Sequence, residues 1–186
     1  MFEDTIACSA PDNGTQGAGY VFERSTYGDW PEVFKYTNSW AAHLGDSVSV
    51  GDDLIAWGAP RTNNYRGSVF VIEHNTTWAH YQELIPAAAT YGNHFGGSVA
   101  LQDHTLLAGA TGYEEFPATW ADTGAVFRFE DDAVSFTEVE TITPPAAQHR
   151  IWFGNAVALT CGQAVIAGKG WEAGGQPRAG GVWFYE

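Results

Sequence analysis

The chain has 186 residues, 45% of them apolar and 15% aromatic, which is enough for a buried core and excludes a disordered polymer. Its 22 acidic and 8 basic side chains leave a formal charge of −14, a field that repels phosphate backbones and anionic membranes and argues against nucleic acid as a partner. No apolar run approaches the roughly 18 residues that cross a bilayer, and the opening MFED carries no secretion-signal pattern.

In chain order the first elements are TIACSAP (5–11), GAGYVFE (17–23) and WPEVFKY (30–36). A second set opens on a new phrase, LGDSVSV (44–50), and continues with LIAWGAP (54–60), GSVFVIE (67–73) and WAHYQEL (78–84). The third set repeats it as FGGSVAL (95–101), LLAGAT (106–111), GAVFRFE (124–130) and FTEVETI (136–142). The fourth reads FGNAVAL (153–159), AVIAGKG (164–170) and GGVWFYE (180–186). The glycines that open the Glu-ended phrase, Gly17, Gly67, Gly124 and Gly180, are spaced by 50, 57 and 56 residues. Such a period is the mark of a repeat architecture. Short runs of β-branched and aromatic residues between Gly-, Asp- and Asn-rich turns predict strands, and no helical period of useful length intervenes.

Each unit therefore reads as four strands, A to D, with unit boundaries near 1–40, 41–93, 94–150 and 151–186. The first unit lacks A and the last lacks D, which predicts 14 strands in one array over 1–186. Strand A sets branched Val48, Val99 and Val157 against small Ser47, Ser98 and Ala156. A uniformly small face suits the place where several sheets crowd, so A is expected innermost. Strand B, exemplified by Leu54-Ile55-Ala56-Trp57, is apolar on both faces, as a strand between two neighbouring sheets would be. Strands C and D alternate apolar with polar residues and are expected on the wetter side. Four-stranded antiparallel units repeating at this period describe an all-β fold of the β-propeller kind, with about 3.5–4 blades in the chain.

FG-x-SV-x-L, then GAP, then G-x-VFxxE resembles the FG-GAP repeat of integrin α-subunit propellers, and more closely the bacterial FG-GAP proteins. The likeness covers nearly the whole chain. It departs at Leu44, which replaces Phe, at Ser9-Ala10-Pro11 and Gly109-Ala110-Thr111, which vary GAP, and at Gly168-Lys169-Gly170, which abandons it. The resemblance implies a non-catalytic binding or adhesion module, extracellular or at the cell surface. The two end units overlap in strands B and C, so they do not complete each other. The expectation is a homo-oligomer, a dimer whose second chain completes the ring, or a fragment of a longer propeller; an unpaired apolar edge at β-strand B is an association hazard.

Integrin-like repeats also carry Asp-rich calcium loops in some blades, and no D-x-D-x-D-G run occurs here. Among the B–C loops the third, with Glu114, Glu115 and Asp122, has the most oxygen ligands for Ca2+. His43 and His94 fall just before strand A, with Trp152 in the third equivalent place, a weak motif for metal near the inner strands. Trp30, Trp78 and Phe136 recur at the start of strand D, which is a packing pattern. Tyr65, Tyr113, Phe116, Trp120 and Trp171 lie in B–C loops expected on one face of the array. They are the candidate ligand-binding residues, for a protein or for saccharide rings stacked in a lectin-like site; the ordinary alternative is that they form small loop cores. No nucleophile elbow, HExxH, phosphate-binding or dinucleotide motif occurs, so a propeller-type polysaccharide lyase or hydrolase is the outside reading. Cys8 lies in an apolar run and is expected to behave as a small hydrophobe; a Cys8–Cys161 bridge requires the chain ends to meet.

Overall fold

The structure is a computed structural model that describes residues 4–114, 122–146, 148–160 and 162–186. Among the described residues, fourteen strands form four antiparallel sheets. Sheet 1 is β1 (Thr5–Ala10), β2 (Ala18–Glu23) and β3 (Glu32–Tyr36). Sheet 2 runs β4 (Ser47–Val50), β5 (Leu54–Ala59), β6 (Ser68–His74), β7 (Trp78–Leu84), and sheet 3 runs β8 (Phe95–Gln102), β9 (Thr105–Ala110), β10 (Ala125–Asp131), β11 (Phe136–Ile142). Sheet 4 is β12 (Phe153–Thr160), β13 (Gln163–Gly168) and β14 (Gly181–Tyr185). Every sheet pairs its strands in chain order, as hairpin-connected antiparallel strands do.

The sheets pack face to face in sequence. Three hydrophobic cores fill the three spaces between consecutive sheets. The first joins Val21 of sheet 1 to Ile55, Trp57, Phe70 and Ile72 of sheet 2. In the second, Ala56, Val69 and Val71 of sheet 2 meet Leu106, Phe127 and Phe129 of sheet 3, and the third sets Leu107 and Val126 of sheet 3 against Phe153, Ile166 and Trp183 of sheet 4. Strand β5 feeds Leu54 and Ala56 into one core and Ile55 and Trp57 into another, and all six of its residues are buried. That is why its sequence is apolar on both faces. Strands β6 and β10 were expected to alternate with water and instead are buried along most of their length, because sheets 2 and 3 have a neighbour on each side.

Strand β8 packs against β4 on one side and β12 on the other, while β7 and β11 reach each other through long side chains, Gln82 donating to the Phe136 carbonyl and accepting from its N–H. Crowding at the first edge explains the small residues there. Ser47 Oγ donates to the Gly96 carbonyl at 2.8 Å and Ser98 Oγ to the Gly154 carbonyl at 2.7 Å, each bond crossing to the next sheet. Gly58 and Gly109 lie against the backbone of those same glycines, Gly96 and Gly154, so a Cβ at either would strike a carbonyl oxygen. The glycines of the two repeated phrases are thus opposite halves of one close sheet-to-sheet contact. Ala167 holds the equivalent register position in sheet 4, where no described residue packs beyond it, and there a Cβ is tolerated.

A second joint recurs three times. Gly17 bridges to Leu44, Gly67 to Phe95 and Gly124 to Phe153, all in parallel sense, tying the starts of β2, β6 and β10 to the start of the next sheet. Two expectations fail at the first sheet. Trp78 and Phe136 are buried, but Trp30 is 37% exposed, because no described sheet stands behind sheet 1. For the same reason Cys8 is an exposed free thiol rather than a buried one. Cys161, its proposed bridge partner, lies outside the described residues.

Candidate functional site

Antiparallel order places the β1–β2, β5–β6, β9–β10 and β13–β14 loops on one rim, together with the links that lead into the next sheet. Each link ends on one residue held at left-handed φ: His43 (57°), His94 (55°) and Trp152 (51°). Glycine would adopt that conformation at no cost, whereas a bulky aromatic residue there is uncommon and strained. The conformation is enforced by the neighbouring loop. His94 N–H donates to the Tyr65 carbonyl at 2.8 Å and Phe95 N–H to the Arg66 carbonyl at 3.1 Å. Trp152 and Phe153 repeat the pair on the carbonyls of Asp122 and Thr123, at 3.1 and 3.0 Å.

The three residues carry different partners. His43 Nε2 meets Arg61 Nη1 at 3.0 Å, and its Nδ1 lies 3.5 Å from Asp12 and 3.8 Å from Asp46. His94 packs on the Tyr65 ring at 5.2 Å. The Lys169 ammonium sits 5.1 Å from the centre of the Trp152 ring, a cation–π contact. Between them opens a shallow cleft of about 490 Å3, lined by Arg61, His94, Asp122, Trp152, Asn155 and Lys169 among others. The amide oxygen of Asn155 is buried there without a hydrogen-bond partner. Burial pushes His94 below its ordinary pKa, the Arg61 charge adds to that, and Asp122 opposes it. The neutral imidazole is therefore favoured, able to donate from one nitrogen and accept at the other.

Charge sorts between the rims. Five of the eight basic residues, Arg61, Arg66, Arg150, Lys169 and Arg178, belong to the loop rim. The opposite turns hold Asp52, Asp53, Asp103, Asp131 and Asp132 with Arg24. A total of −14 hides a loop rim that is much less acidic than the whole.

Of the aromatic residues expected to bind ligand, Tyr65 is 44% exposed, on a left-handed turn with Asn63 and Asn64. Tyr113 packs edge-on against Phe127 at 5.5 Å, and Trp171 against Trp183 at 5.0 Å, so both rings also serve the cores beneath their loops. Phe116, Trp120 and Glu115 lie outside the described residues. Of the proposed calcium ligands, Asp122 lines the cleft. Glu114 does not line it, and among the described residues no group of three or more His, Cys, Asp or Glu side chains could hold a metal. Sequence reading passed over Trp40 and Tyr91, 81% and 77% exposed on the links of the same rim. It also passed over Arg61 and Lys169, although both stand within two residues of the end of a second strand, a position the repeat could have exposed. Compared with known proteins, the chain matches no family model and no curated protein.

Proposed function

We propose that the chain is a non-catalytic binding module, a β-propeller array of the FG-GAP type whose partner docks on the loop rim. The fan of four sheets, close at β4, β8 and β12 and spread at β7 and β11, supports the propeller reading. The resemblance of the repeats supports a place outside the cell or on its surface. One observation carries the choice of site: residues from three successive sheets converge on a single cleft through repeated, conformationally strained positions. A rigid scaffold presenting adaptable loops is the usual arrangement for recognition.

A narrower reading, a lectin-like site, is favoured by the pairing of Trp152 with polar neighbours. A sugar ring stacks on the Trp152 face that Lys169 leaves open, while Asp122, Asn155 and Arg61 take its hydroxyl or carboxylate groups. Isothermal titration of the full chain against neutral and uronate-bearing oligosaccharides, and against acidic peptides, tests both readings. Trp152→Asn, which tolerates left-handed φ, and Arg61→Ala are expected to weaken binding by about tenfold or more. Binding that both variants leave unchanged would move the site elsewhere. Turnover of an oligosaccharide, read as new reducing ends or unsaturated product, would replace the binding module with a hydrolase or lyase.

A further inference from the structure

Two sheet faces of this molecule are patterned like its interior and are not covered by any of the described residues. On sheet 4 the outer face is two cross-strand rows, Ala156–Ala167–Val182 and Ala158–Val165–Phe184. Val182 is 57% and Phe184 76% exposed. In sheet 2 the same register positions on the third strand are Val69 and Val71, both fully buried because sheet 3 covers them. On sheet 1 the opposite kind of face shows the rows Ile6–Phe22 and Cys8–Tyr20. Their equivalents in sheet 2, Ile55–Ile72 and Trp57–Phe70, are fully buried against sheet 1. Ile6 by contrast is 45% exposed.

We infer that the outer face of sheet 4 docks against the outer face of sheet 1 in a second copy of this chain, head to tail. The occupant follows from the three contacts already present. In each of them a face of the sheet 4 type is covered by a face of the sheet 1 type. The two free faces are one of each kind, so a second copy continues an established interface. None of the six residues in the sheet 4 rows is charged. On the sheet 1 face the two rows end on β3 in opposite charges, Glu32 beside Phe22 and Lys35, 5.2 Å from the Tyr20 ring centre, so that edge brings no net charge to the contact. The contact is heterologous, so it uses one patch from each end of the molecule. It is separate from the loop-rim cleft and stands whether or not that cleft binds a ligand.

Light scattering on the full chain over a hundredfold concentration range reads the association. Mass is expected to rise above the 20.1 kDa of one chain, and to rise further in about 0.5 M salt, which screens the charge of −14 on each copy. Phe184→Asp on one end and Ile6→Asp on the other should each return the protein to a monomer with unchanged far-ultraviolet circular dichroism. Cross-linking reads the geometry. Gly19 touches the Trp57 ring across sheets 1 and 2, and its register equivalents of Val182 and Cys8 should be neighbours between copies. In a Cys161→Ser background, a short bismaleimide should join chains only when Val182→Cys and Cys8 are both present. A monomer at every concentration, or cross-linking through Cys8 alone or Val182→Cys alone, overturns the inference.

Discussion

Gly67 and Gly180 open the same phrase and hold nearly the same φ, 88° and 81°, yet they stand in different surroundings. A Cβ on Gly67 would run into the backbone of Phe95, while one on Gly180 meets only the carbonyl oxygens of Gly168 and Lys169 at 3.8 and 3.9 Å. Gly67→Ala therefore combines strain with collision and should cost about 3 kcal/mol, whereas Gly180→Ala pays for backbone conformation alone, about 1 kcal/mol. Urea unfolding of the two variants decides it; equal losses would mean the joint at Gly67 relaxes freely. His94 gives a residue-scale pH dependence. Its pKa is lowered on folding by burial, so the unfolded chain binds the proton more readily and stability falls as pH drops through the unfolded value near 6.5. Below the folded pKa the loss is complete. His94→Gln should remove that share of the decline between pH 7.5 and 5.5, and an identical decline in the variant would assign it to other histidines. The strain at His43, His94 and Trp152 was not readable from the sequence, since a φ angle leaves no letter. The recurrence of the position was.

The strands and their grouping were largely legible. Period-two alternation, the Gly-Asp turns and the copied phrases marked all fourteen strands and their division into sheets of three, four, four and three. What the pattern misjudged was the wetness of the third strands. Alternation tells which face a residue shares, whereas burial depends on whether another sheet lies against that face. Strand β7 shows how neighbouring sheets are locked. Trp78 Nε1 donates to Glu23 Oε1 at 2.7 Å, linking sheet 2 to sheet 1. Trp78→Phe deletes the donor together with part of the buried indole, so it should cost about 3 kcal/mol, of which about 1–2 kcal/mol is expected for a hydrogen bond to a charged acceptor. In a Glu23→Gln background the same substitution should cost less, because the acceptor is then neutral. A cycle with no such coupling would show that the bond contributes nothing net.

At the scale of the whole molecule, stability should be graded along the stack. Sheets 2 and 3 are covered on both faces, and sheets 1 and 4 on one among the described residues. Hydrogen exchange is accordingly expected to be slowest in β5, β6, β9 and β10 and faster in β1–β3 and β12–β14. Uniform protection in dilute solution would contradict a stack held by nearest-neighbour contacts. As concentration rises, protection should grow at β1 and β14 if copies join end to end. The charge sorting also belongs to this scale. Acidic residues suit tight turns, and the antiparallel order collects the A–B and C–D turns on one rim, which leaves the basic residues over-represented on the other.

By itself the sequence determined that this is an all-β chain of four repeated units, because period-two hydrophobicity and duplicated turn phrases are local properties that survive without a partner. It also implied that the B–C loops share one rim, since equivalent loops must lie together in such an array. Tertiary structure alone decided which loop residues meet. Tyr113 and Trp171 pack towards cores that their own loops overlie, while Arg61, Asp122, Trp152 and Lys169, up to 108 positions apart, converge on one cleft. That convergence depends on how one sheet seats on the next. Its physical basis is the contact between glycine backbones, Gly58 with Gly96 and Gly109 with Gly154, whose partner lies in the next unit of the chain.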